Sequence, residues 1–234
     1  MTPKLLDVQD IASASFALAM IALLATGVLM LAGTGWVARR WKLVVALGGV
    51  AALVGAAHLG IANDVWLATG KSTMIHRYVG WFITIPLQVV TLYFFVRVYA
   101  RVPVGVFWRT FVAAVLLVTS RFMGEANLML PMLGFLLSLA FWLYILGEAY
   151  FGAMSQGDLR HGSETARRGF FWLRLIMTLG WAILPLTYFV TTFTGPVQMR
   201  YVMTTYNLSD FINVGAFALT LLATAMAETD RANS

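Results

Sequence analysis

Long apolar runs, interrupted only by short polar connections, leave this chain few ways to fold. Spans fall near Ala12 to Leu31, Leu43 to Ile61, Tyr78 to Val96, Phe107 to Phe122, Leu128 to Ala149, Leu173 to Phe193 and Tyr201 to Ala225. A helix needs roughly 20 apolar residues to cross a bilayer core, so 234 residues hold about seven crossings and little else. No soluble catalytic domain fits beside them. Charged residues make up 11% of the chain, against roughly 25% in soluble domains, and the mean hydropathy is +0.81. The expected fold is an all-α membrane protein, a seven-transmembrane-helix bundle forming one domain over residues 1–234, with the lipid bilayer as its solvent. Met1 to Asp10 lacks the basic flank and cleavage site of a signal peptide and is read as retained. The longest polar interval, Ser155 to Arg168, separates spans five and six.

The net charge of +6 could suggest nucleic acid in a soluble chain; in a membrane chain it reports loop anchors, and no nucleic-acid partner is expected. Arg39, Arg40, Lys42, Arg97, Arg101, Arg109, Arg160, Arg167 and Arg168 all fall in the first, third and fifth connections. Lys4, Lys71, Arg121 and Arg200 are assigned to the other side. The bias places the N-terminus outside and the C-terminus in the cytoplasm. Cysteine is absent and the three histidines are scattered, so no metal site is expected.

Polar groups inside spans are costly, which makes each a functional candidate. Arg77, Gly80, Trp81, Thr84, Gln88 and Thr91 recur at three- and four-residue steps, so they share one face of the third helix. Tyr206, Asp210 and Val214 form a second stripe on the seventh, with Asn213 beside it. Asp210 needs a partner, and Arg77 is the obvious one; the alternative for Arg77 is to snorkel to the interface. Trp81, Trp142 and Trp181 also read as ordinary aromatic filling, His58 as a hydrogen-bonded structural group, and Glu125 and Glu148 as structural groups near water. Pro86 and Pro185 are expected to kink their helices.

These residues resemble a family. Arg77-Tyr78-Val79-Gly80-Trp81-Phe82-Ile83-Thr84-Ile85-Pro86-Leu87 resembles the RYxDWxxTxPL signature of microbial rhodopsins, the proteorhodopsin group in particular. Met123-Gly124-Glu125-Ala126, Gly180-Trp181-Ala182-Ile183-Leu184-Pro185 and Tyr206-Asn207-Leu208-Ser209-Asp210-Phe211-Ile212-Asn213 resemble the group's MGEA, GWAIYP and YNLADFxN strings; Trp41-Lys42 and His58 also align. The resemblance implies retinal-pocket walls at Trp81, Thr84, Gln88, Trp142, Trp181, Leu184, Pro185, Tyr206, Asp210 and Val214, around open positions at Gly80 and Gly124. It also implies a bacterial inner membrane location.

Two departures decide the function. Val214 stands where the family carries the lysine that forms the Schiff base with retinal, and the only lysines here are Lys4, Lys42 and Lys71. An imine needs a primary amine, so covalent retinal is not expected. Gly80 stands where family pumps carry the aspartate that accepts the Schiff-base proton, and Thr91 where proteorhodopsin-like pumps carry an acidic donor. The losses compensate: Arg77 and Asp210 sum to zero, whereas losing the lysine alone would strand a buried carboxylate. Leu184 replaces a tyrosine, and Ala17 a tryptophan thought to bridge protomers through His58.

Three readings follow. The first is a photo-inert rhodopsin-like protein, without light-driven proton pumping, that acts by associating with itself or with another rhodopsin as a homo- or hetero-oligomer. The second is a non-covalent binder of retinal, a carotenoid or another apolar ligand. The third, ranked last, is a light-driven pump or channel. No nucleophile and base pair, metal cluster or phosphate loop supports an enzyme. With an open pocket, Val214→Lys plus Gly80→Asp would restore a coloured pigment.

Overall fold

The computed structural model describes residues 10–156 and 162–233; Lys4, Arg160 and His161 lie outside them. Seven helices are long and apolar enough to cross a membrane. They are α1 (Ile11–Gly33), α2 (Lys42–Thr69), α3 (Met74–Arg97), α4 (Val104–Glu125), α5 (Pro131–Tyr150), α6 (Glu164–Phe193) and α7 (Met199–Asn233), and no strand occurs among the described residues. Each packs on its chain neighbour and α7 returns to α1, closing a ring. Sequence alone placed these elements; most helices run past their apolar runs, whereas α5 begins at Pro131, inside the span expected from Leu128. Short connections make that necessary, because a lipid-facing backbone has no water to satisfy it and helix is the cheapest way to pair every N–H.

The bundle is apolar on both sides. Leu18, Ile21, Val28, Leu136, Leu179 and Leu186 face outward and are exposed, the pattern of a chain dissolved in lipid. Small residues let the helices approach. A Cβ on Gly134 of α5 would meet Gly124 Cα of α4 at 2.7 Å, and one on Gly48 of α2 would meet the Met30 side chain of α1 at 2.7 Å. The tight turn from α4 to α5 is made by Asn127, whose φ of 56° lies in the left-handed region that Asn tolerates better than most residues.

Two helices break their own register. α6 widens into a π-turn at Ile176–Gly180 and α7 at Phe211–Ala216, so carbonyls at both places need side-chain donors. The turns face each other. Asn213 Nδ2 donates to the Gly180 carbonyl at 3.1 Å, Gln88 Nε2 of α3 donates to the Asn213 carbonyl, and Trp142 Nε1 of α5 donates to the Met177 carbonyl at 3.1 Å. Three helices thereby satisfy backbone that α6 and α7 expose.

The Gly124 and Gly134 crossing gives a direct test. Gly134→Val drives a branched side chain into backbone and should cost about 1–3 kcal/mol, read as a lowered unfolding midpoint in detergent. A midpoint unchanged from wild type would mean α4 and α5 do not pass this closely.

Candidate functional site

The polar stripes of α3 and α7 meet in the bundle's interior. Arg77 is fully buried; its Nη1 donates to Asp210 Oδ2 at 2.6 Å and its Nη2 to Asn207 Oδ1. Trp81 Nε1 donates to Asp210 Oδ1 at 2.8 Å, so each carboxylate oxygen has a donor. Asn207 passes the network on, its Nδ2 donating to Ser15 Oγ of α1 at 2.8 Å. The rings of Phe16 and Tyr206 lie 5.0 and 5.5 Å from the Arg77 guanidinium carbon, within cation–π range. Burial and geometry leave no snorkelling role for Arg77. A pair this deep stabilises only while both partners remain: the attraction offsets two desolvation penalties, and losing either partner strands a charge.

His58 of α2 completes this cluster in a way its sequence position did not suggest. Its ring is 5% exposed and fills the space beside Gly80, where a Cβ would meet Nδ1 at 2.3 Å and Cγ at 2.4 Å. Its Nε2 lies 3.6 Å from Asp210 Oδ2, beyond hydrogen-bond range, and neither ring nitrogen has a hydrogen-bond partner among the described residues. The expectation of a hydrogen-bonded histidine is therefore corrected: the imidazole acts here as a wedge beside a carboxylate. It points into the bundle rather than outward. The open position expected at Gly80 is occupied.

A second buried cation escaped the sequence reading, which counted Arg121 among the basic residues near the span ends on the outer side. Arg121 of α4 is 3% exposed. Its Nε donates to the Tyr78 hydroxyl at 3.1 Å and to Glu125 Oε1 at 3.2 Å, and its Nη2 to Glu125 Oε1 at 3.0 Å and the Tyr206 hydroxyl at 2.7 Å. Trp81, Tyr188 and Tyr206 present their rings at 5.2 to 5.6 Å. The available signal was the four-residue spacing to Glu125 within one helix, which puts the two side chains on one face. Tyr206 thus touches both arginines, joining the Asp210 cluster to the Arg121 cluster.

Of the expected pocket walls, Trp142, Trp181, Leu184 and Pro185 come together with Leu117, Arg121, Ser138 and Leu139 around a cavity of about 20 Å³. Trp81 and Tyr206 pack ring against ring, centroids 5.5 Å apart, and Thr84 is buried on the same face. Gln88 is spent on the α7 backbone, as above. Val214 lies in the α7 π-turn, 5% exposed, and a Cβ on Gly55 of α2 would meet its Cγ1 at 3.8 Å. Gly124 is no open floor either, since a Cβ there would meet the Tyr188 hydroxyl at 2.4 Å. Thr91 Oγ1 donates to the Leu87 carbonyl of its own helix. Glu148 pairs with Arg109 at 2.7 Å. No group of three metal-ligating side chains occurs among the described residues.

A seven-helix ring with an arginine on α3 facing an aspartate on α7 defines a class before any comparison is made. The family model described as "Bacteriorhodopsin-like protein" matches residues 10–228, and the chain belongs to that family, the microbial rhodopsins. It is 28% identical over 229 residues to the blue-light absorbing proteorhodopsin of Gamma-proteobacterium Hot 75m4, spanning 97% of this chain and 91% of that one. Identity to the green-light absorbing proteorhodopsin of Gamma-proteobacterium EBAC31A08 is 27% over 231 residues, with the same coverage. The crystal structure of blue light-absorbing proteorhodopsin from Med12 superposes with a TM-score of 0.80 at 29% identity, covering 93% of this chain and 98% of that one. Thermophilic rhodopsin, at 21% identity and a TM-score of 0.86 over 98% of each chain, shows the shared fold.

Asp210→Asn removes the charge while keeping an acceptor for Trp81, and should lower stability by about 3–5 kcal/mol because Arg77 is left unpaired. Adding Arg77→Gln should recover most of that loss in the same melting assay. A single variant as stable as wild type, or a double variant worse than the single, would contradict a coupled pair.

Proposed function

We propose that this chain is a photo-inert rhodopsin that acts through contacts with membrane partners, its own copies or a genuine rhodopsin, in a bacterial inner membrane with the N-terminus outside. The observation that carries the reading is Val214, with no lysine elsewhere that could take its place. Lys42 opens α2 and Lys71 sits in the connection to α3, and both are exposed. Neither amine reaches the interior, so light has no bonded chromophore through which to move a proton. The rest of the interior supports the same reading. Arg77 and Asp210 neutralise each other without a Schiff base, and His58 takes the space a counter-ion at position 80 would need.

Non-covalent retention of a polyene is the second reading, favoured by the cluster of Trp142, Trp181 and Leu184. The space argues against it. Small-molecule pockets typically run from about 300 to 1,000 Å³, whereas the cavity that Trp142, Trp181 and Leu184 line, of about 20 Å³, holds little more than one water.

Purification with and without added all-trans retinal tests both. The expected result is that washed protein carries no visible absorption band. With the interior filled, Val214→Lys plus Gly80→Asp should stay colourless as well, since an aspartate at 80 collides with His58. A coloured wild type would favour the holder, and a coloured double variant would show that the interior opens.

A further inference from the structure

Four helix ends meet around a polar cleft at the end of the bundle that the basic connections assign to the cytoplasm. It encloses about 340 Å³, within the range of small-molecule sites, and is lined by Arg40, Tyr99, Gly162, Ser163, Glu228 and Arg231. These come from the turn that opens α2, the residues just past α3, the start of α6 and the end of α7. Arg40 and Arg231 are exposed, so water reaches the cleft. Tyr99 Oη is buried and makes no hydrogen bond among the described residues; Glu228 faces it without reaching hydrogen-bond geometry. The Tyr99 ring is fixed against Trp41 and Phe95, at centroid distances of 5.6 and 6.3 Å. Arg40 makes no hydrogen bond among the described residues either, its Nη2 standing 4.0 Å from Glu228 Oε2. The other oxygen of Glu228 accepts from the Ser163 hydroxyl, which is thereby spent. Two arginines against one buried carboxylate leave one positive charge in excess, and the N-terminus of α6 at Ser163 adds a partial positive charge.

We propose that this cleft binds the phosphate of a small, water-borne phosphomonoester, which accepts from Tyr99 Oη and the Arg40 guanidinium while Arg231 adds charge. A buried hydroxyl without an acceptor costs stability, and an anion beside it supplies one. Phosphate suits the arrangement because its tetrahedral oxygens accept from donors on separate elements, and an arginine fork matches two of them at once. The position of the cleft selects the source. α2 and α3 stand on one side of the ring and α6 and α7 on the other, with the end of α7 packed on both α2 and α6, so the cleft caps the bundle's axis. Lipid phosphates lie around the perimeter, whereas a solute arrives along the axis. The site stands whether or not the protein responds to light.

The test is isothermal titration of the full chain, in phosphatidylcholine nanodiscs at an ionic strength held constant with chloride, using glycerol phosphate as the probe. Saturable binding is expected, competed by inorganic phosphate and not by glycerol. Tyr99→Phe deletes one hydroxyl and keeps the ring against Trp41 and Phe95, so its unfolding midpoint should be no lower than wild type. It should weaken binding by about tenfold, the size of a lost hydrogen bond to a charged group. Arg40→Gln should weaken it at least as much. Discs that also contain phosphatidylglycerol should bind the probe as tightly as discs without it. Absence of saturable binding, or binding undiminished in the folded Tyr99→Phe protein, would overturn the proposal. Loss of probe binding in phosphatidylglycerol discs would overturn it as well, by assigning the cleft to a lipid phosphate.

Discussion

The ion pair between Arg77 and Asp210 is the constraint around which this bundle is organised. A guanidinium and a carboxylate this far from water are tolerable only together, and they sit on helices separated in the chain by three others. α3 and α7 must therefore stay in contact, and the residues about them follow from that need. Trp81 donates to the other carboxylate oxygen, Asn207 accepts from the second guanidinium nitrogen, Phe16 and Tyr206 cover the cation, and His58 closes the gap left by a glycine. Tyr206 then carries the network to Arg121 and Glu125, a second neutral pair. Buried cations and carboxylates balance here without any contribution from a chromophore.

The π-turns of α6 and α7 show the same economy in the backbone. Both lie beside the family's retinal attachment point, and each leaves carbonyls that an ordinary helix would pair. Gln88, Asn213 and Trp142 supply the donors, tying α3, α5, α6 and α7 at one level. Val214 sits inside this braced segment. A valine there needs only packing, and the α2 surface near Gly55 supplies it.

Much of this was legible before any coordinates. Seven spans follow from the length of apolar runs, because lipid permits almost nothing but helix. The shared face of Arg77, Trp81 and Gln88 follows from helical periodicity, and Asp210 announced its need for a partner by standing in an apolar run. His58 and Arg121 were harder. Whether a side chain near a glycine swings into the space it leaves depends on helix rotation, which a sequence pattern does not give to better than a residue. Arg121 was counted as an outer-side anchor because it stands at the end of its span, and only the tertiary placement of Tyr78 and Tyr206 shows that a cage of hydroxyls and rings receives it. The expected openness at Gly80 and Gly124 failed for a related reason: absence of a side chain marks either a cavity or a close approach, and here both are close approaches.

Membership of the rhodopsin family thus supplies the fold, while Val214, Gly80 and the Arg77–Asp210 pair at the bundle's centre carry the proposal that this chain does not pump. The most direct measurement is the pH of a lightly buffered suspension of vesicles containing the purified chain and all-trans retinal, recorded under strong visible illumination with and without a protonophore. Self-neutralised, amine-free machinery predicts a flat trace in both. A light-dependent pH change abolished by the protonophore would contradict it.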